Sequence, residues 1–320
     1  MLKPNYSSLL VLAVGLGLAV WPLLFHDASL YFQVLGMACL YGTLALAWSI
    51  YALSGAISLG HAAFFGLGAY GSALLSHYWH WSPLLTILLG ALVSVSYGLL
   101  WSLFFRRLRG VYLGLASLAA VEIPRVIIDN WDAVTSGSLG MTGLGRLPTL
   151  SLGSWQWAFG SDLKAQYYLL LAVVVAATIL YKIAMESRWG WALRAMRENE
   201  TAAATLGIRV NRERTKALLG SAYLTGICGG LYAHLLGLIE PSLVFSLHVS
   251  ALPLIFTIFG GRTRFFGPVL GALLLYPLEQ LVFQPLLPTG HAAVYGLVII
   301  LTILFFPQGL AAWITSRKSA

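Results

Sequence analysis

Glu122, Arg125 and Glu279 stand inside otherwise apolar runs of this 320-residue chain. Ionisable side chains at such positions are costly in lipid, and by default they mark a substrate path or a buried ion pair. Glu122 and Arg125 are three residues apart, so a helix carries them on one face. At 1.5 Å per residue from the start of their runs, Glu122 lies roughly 17 Å deep and Glu279 about 21 Å. The trio reads as a buried structural lock, with a polar network around a pathway as the alternative. His61 begins another small-residue run; no second ligand is spaced to help it, so packing is favoured over a proton relay or a metal site.

A second concentration of chemistry lies at 185–215, where Arg194, Arg197, Glu198, Asn199 and Glu200 crowd together. Asn199 is suited to cap a helix, and Glu200 in its first turn complements the helix dipole. Gly207 is a natural stop. The result is a short helix over 200–206 carrying the small residues Ala202, Ala203 and Ala204. Such an element inserts into a groove on another protein, or lies on the membrane surface with Trp189 and Trp191 as anchors. Motifs for hydrolysis are missing: there is no HExxH and no GxSxG, which argues against an embedded enzyme. The chain also lacks a G-x-x-x-x-G-K-[ST] loop, so any ATP drive comes from a partner.

The elements that position these residues follow from composition. Apolar residues are 59% of the chain and charged residues 9%, far from the roughly 25% charged residues of soluble domains. The formal charge of +8 does not form one solvated patch, which excludes nucleic acid as the partner. Cys39 and Cys228 sit within apolar runs and read as buried free thiols. A hydrocarbon core needs about 20 apolar residues per helix. That gives about ten spans, at 7–25, 30–53, 56–77, 82–105, 111–129, 165–184, 216–239, 250–261, 265–287 and 290–306. The first is read as a retained span rather than a cleaved signal. The eighth is short, a broken or tilted helix, so nine crossings are the alternative.

Charge asymmetry sets the orientation. With both termini cytoplasmic, every basic residue except Arg125, Arg146 and Lys164 falls on the inner side, out of 19 in all. The chain is thus expected to be one all-α transmembrane domain over 1–320, with an inner segment at 185–215 and an outer loop at 130–164. Trp131, Trp155 and Trp157 in that loop suit an interfacial belt. Gly55, Gly60, Gly66 and Gly68, with their alanine neighbours, make a helix of little bulk, close to a partner helix or to a substrate; ordinary packing is the favoured reading.

Several segments carry a resemblance. The stretch Arg194-Ala195-Met196-Arg197-Glu198-Asn199-Glu200, followed by Leu206-Gly207-Ile208, resembles the coupling loop of branched-chain amino acid ABC permeases, the LivM-type subunit. Residues 54–70, 107–113, 122–125, 266–272 and 306–310 match in the expected order and cover most of the chain. The resemblance implies an ABC importer permease fold in a bacterial inner membrane. It also implies a heterodimer with a second permease subunit, two ATP-binding cassette subunits that hold the ATP and Mg, and a periplasmic binding protein. No cofactor is expected in this chain. Ser136 and Leu139 replace the residues the family commonly has there, so urea, amides or another small solute are alternative cargoes on the same scaffold. A self-contained secondary transporter is the more distant alternative.

Overall fold

The structure is a computed structural model that describes residues 15, 17, 18, 20, 29–152, 155–262, 264–288, 290–305 and 309–312. The expected span 7–25 falls almost wholly outside them, as do residues 1–14 and 313–320 and therefore both termini. In chain order the helices are α1 (Ser29–Ala52), α2 (His61–Trp79), α3 (Pro83–Phe104) and α4 (Gly110–Asp129). There follow strands β1 (Met141–Thr142), β2 (Thr149–Leu152) and β3 (Trp155–Ala158), then α5 (Leu163–Glu186), α6 (Arg188–Glu198) and α7 (Glu200–Thr205). The chain continues with α8 (Val210–Leu236), β4 (Leu238–Ile239), α9 (Leu247–Gly260), α10 (Gly267–Leu278) and α11 (His291–Phe305). Among the described residues, six helical stretches are long and apolar enough to cross a membrane: α1, α3, α4, α5, Pro241–Gly260 and Gly267–Leu286. This is a multi-pass membrane protein.

α1 is the axis of the bundle, packed by α5, α8, α9 and α10. A second group, α2, α3 and α8, packs mutually, and α8 belongs to both. Small residues make the second group possible. A Cβ on Gly68 would run into the backbone of Gly226, and one on Gly226 would meet the Ala91 Cα at 2.8 Å. Without a hydrophobic drive between helices in lipid, this close approach is what supplies the packing energy.

Three sequence expectations need correction. The span expected at 56–77 begins later, because residues 53–60 are not helical. Gly55 takes φ +81°, and the segment satisfies its polar backbone elsewhere: Trp48 Nε1 donates to the Ser58 carbonyl at 2.8 Å, and Leu59 N donates to Ser117 Oγ at 2.8 Å. Irregular backbone is tolerated at membrane depth when it is buried in protein like this. The all-α expectation is also too simple, since β2 pairs with β3 and β1 pairs with β4, both antiparallel. Finally, the Trp residues of 130–164 do not behave alike: Trp131 is exposed, whereas Trp157 packs edge-on against Tyr168 at 5.4 Å. The short eighth span, expected at 250–261, is the unbroken helix α9, whose start is capped by Ser246 Oγ and which follows a separate turn at Pro241–Val244.

The two ends of the bundle differ. One end gathers Gly55, Arg109, Arg214 and the segment of α6 and α7. The other gathers the 130–162 loop, held by Tyr78 Oη donating to the Val134 carbonyl at 3.1 Å and by the β1–β4 pairing.

Candidate functional site

α6 and α7 form a bent two-helix element at the basic end. Ser187 Oγ caps α6 by accepting from Gly190 N at 3.2 Å. Asn199 Oδ1 caps α7 by accepting from Ala202 N at 3.0 Å, and Gly207 closes it at φ +87°. Glu200 is the anchor of the element. Its carboxylate meets Arg109 at 2.7 Å and Arg214 at 2.9 Å. Arg109 is the N-cap residue of α4 and Arg214 lies in the first turns of α8, so one carboxylate ties α7 to two bundle helices. Burial pushes this carboxyl upward, but the hydrogen bonds from Arg214 and Arg109 outweigh it and hold Glu200 below its ordinary range.

The other residues at this end divide by position. Arg197 ion-pairs with Glu198 at 3.1 Å, and its backbone packs on Gly55: a Cβ there would sit 3.2 Å from the Arg197 Cα. Arg194 lies over the Trp191 ring, 4.1 Å from its centroid, and donates to the Met185 carbonyl at the end of α5. Ala203 points into the bundle, 2% exposed, so the three-alanine contact face expected from sequence is not built. The open face of α7 consists of Ala202, Ala204, Thr205 and Leu206, the last 81% exposed. Sequence reasoning missed Arg109 and Arg214 as partners; their only signal was that both lie on the basic side.

The small-residue segment serves packing. Gly60 approaches Trp101 and the Ser117 carbonyl, Gly66 lies against the Phe245 ring, and Gly68 faces Gly226. His61 is fully buried with Nε2 2.8 Å from Ser221 Oγ, and Ala62 N beside it donates to Ser250 Oγ at 3.1 Å.

The charge trio is not assembled as expected. Arg125 pairs with Glu122 at 3.3 Å and reaches Asp129 at 3.7 Å, all on α4. Glu279 is buried in the π-helical turn Glu279–Phe283, which packs on α10 and α11, one turn beyond the Tyr276 ring that contacts Tyr41 at 5.0 Å. The pair on α4 is not a buried lock either, for Glu122 is 56% and Arg125 37% exposed. Periodicity placed the two on one face but could not say which way that face turns.

A family model described as branched-chain amino acid transport system / permease component matches residues 30–306. The chain is 30% identical to the high-affinity branched-chain amino acid transport system permease protein LivM of Salmonella typhimurium, over 95% of this chain and 73% of that one. It is 26% identical to a probable LivH of Methanocaldococcus jannaschii, over 69% of this chain and 70% of the relative. A more distant relative is the autoinducer 2 import system permease protein LsrC of Yersinia enterocolitica, 24% identical over 69% and 64%. No solved structure matches the chain. With a model match over most of its length and a relative of this identity, the chain belongs to the branched-chain amino acid transport permease family, whose members are transport subunits and not enzymes.

Proposed function

We propose that this chain is one of two permease subunits of an ATP-driven importer of branched-chain or related hydrophobic amino acids in a bacterial inner membrane. Its basic end faces the cytoplasm, where short loops rich in Lys and Arg are retained. The partners are a second permease, two ATP-binding cassette subunits and a periplasmic binding protein that delivers the solute. α6 and α7 are the coupling element that receives motion from an ATPase subunit.

The observation that carries this reading is the Glu200 clamp, which holds an otherwise open, capped helix against α4 and α8. An exposed helix fixed at its base can transmit a push, whereas one merely lying on the membrane needs no such tie. Leu206 and Ala204 on the open face fit a groove on a partner. The contact of Arg197 with Gly55 gives the push a second route, into the non-helical segment 53–60 and through Leu59 to Ser117 on α4.

The test is co-expression with candidate second-permease, ATPase and binding-protein subunits from the same organism, purification in mild detergent and reconstitution in liposomes. Uptake of labelled leucine, isoleucine or valine should require both ATP and the binding protein. Uptake that proceeds without ATP, or purification with no ATPase subunit attached, overturns the assignment.

A further inference from the structure

The faces that the membrane-crossing helices turn outward are not equivalent. α3 exposes Leu84, Leu88, Leu92, Leu99 and Leu103, and α5 exposes Val175, Ile179, Leu180 and Ile183. These are surfaces that lipid covers without cost. α4 is different. Glu122, Arg125 and Asp129 follow one another at helical spacing and form a single polar stripe over its last two turns. Toward the Gly110 end the same line continues with Leu118 and Leu115, half-buried and exposed in turn, so it changes from charged to aliphatic along its length. The opposite face, with Gly114, Ser117, Ala120, Val121, Pro124 and Ile128, is buried against α2, the 57–60 segment and Tyr97 of α3.

Depth decides what the stripe can face. Glu122 lies seven residues from the Asp129 end of α4 and twelve from the Gly110 end, about 10 Å and about 18 Å along the axis. An arginine can snorkel to the interface from such a depth, but a carboxylate on its short stem cannot. An exposed Glu122 is costly in lipid, so the stripe must meet water or another protein surface. A pair of opposite charges 3.3 Å apart also has a specific chemistry. It can exchange partners with a zwitterion, carboxylate to Arg125 and ammonium to Glu122, leaving no charge unpaired during the exchange.

We propose that Glu122, Arg125 and Asp129 line a water-filled vestibule between α4 and the second permease subunit, and that the Glu122–Arg125 pair contacts the ammonium and carboxylate of a zwitterionic amino acid in transit. This rests on the permease reading above and adds to it the residues that handle the cargo. The mixed charge of the stripe suits solutes that are charged at both ends and neutral overall. Leu118, next along the line, offers an apolar surface to the side chain of the same solute. The proposal also explains why these charges lie outward on a helix that the rest of the bundle holds along one side.

The assembled importer in membranes provides the test, because Cys39 and Cys228 are both buried and give low background. Glu122→Cys and Arg125→Cys should react with a charged, membrane-impermeant thiol reagent at least tenfold faster than Leu92→Cys and Leu180→Cys on the lipid faces. Saturating leucine should slow the labelling of Glu122→Cys. Slow labelling at both stripe positions overturns the water-filled vestibule. Fast labelling that no amino acid slows, whether leucine or another, overturns the zwitterion contact. Glu122→Gln and Arg125→Gln should fold in normal yield while raising the KM for uptake several-fold with little change in ATP-driven kcat; an unchanged KM in both also overturns the contact. Because labelling needs no transport, a failed permease assignment is distinguishable: it shows as absent ATP-driven uptake in the unmodified importer, whatever the stripe does.

Discussion

Glu200→Gln is the substitution that isolates the clamp. It keeps the size of the side chain but removes the charge that Arg109 and Arg214 share, and it turns one of the two accepting oxygens into an NH2 donor, so the paired contacts to both arginines cannot all persist. Arg214 is the stronger partner, with 12% of its side chain exposed against 42% for Arg109. A charge-assisted hydrogen bond contributes about 1.5–3 kcal/mol when shielded from water. Glu200 itself retains 32% exposure, so solvent screening reduces the Arg214 pair to roughly 1–2 kcal/mol and the Arg109 pair to below about 1 kcal/mol. The sum, about 2 kcal/mol, corresponds to roughly a 30-fold shift in the equilibrium that keeps α7 seated. Both pairs lie at the end of the bundle rather than in it, so assembly and yield should be retained. Substrate-stimulated ATPase activity in liposomes should fall by an order of magnitude while basal ATPase activity persists. The pH dependence has a definite sign. A carboxyl held below its ordinary value contributes stability above the unfolded value of about 4.3 and loses it as pH falls through the folded one. Coupling in the unmodified importer should therefore be flat from neutral pH down toward that range, and the Gln variant should show no acid limb of this origin. Stimulated ATPase activity of Glu200→Gln equal to that of the unmodified complex would refute the reasoning.

Two further outcomes are expected. Single cysteines placed in 188–214 should be shielded from an impermeant reagent applied outside cells, and those in 135–160 should react; the reverse pattern would invert the orientation. Ala203→Trp should lower the yield of folded complex, because overpacking a buried position costs about 1–3 kcal/mol, whereas Ala204→Trp on the open face should fold normally and abolish ATP-driven uptake. Equal behaviour of the two variants in yield and uptake would contradict the placement of α7.

What the sequence made legible was set by what leaves a one-dimensional trace. Hydropathy marked the long helices, since a run such as Leu163–Glu186 has no other stable home than a membrane. Capping chemistry marked α7, because Asn199 and Gly207 each act on backbone within a few residues. Around 53–60 the sequence marks a break near Ser54 and Gly55 but not its length: residues 56–60 are kept out of the next helix by Trp48 and Ser117, the latter 58 positions from Leu59. The same limit hid the clamp, for Glu200 and Arg109 are 91 positions apart and nothing in either neighbourhood requires the other. It also explains the misreading of the charge trio. Depth along a helix is readable from residue counting, and Glu122 and Arg125 were correctly placed on one face. Which way that face turns depends on which sides of α4 the rest of the bundle covers: the 57–60 segment takes Gly114 and Ser117, and Tyr97 of α3 donates to the Ala120 carbonyl. Small residues thus draw α4 inward along one line. The polar stripe is left facing outward among the described residues, and on the permease reading proposed above water and a second subunit complete that surface.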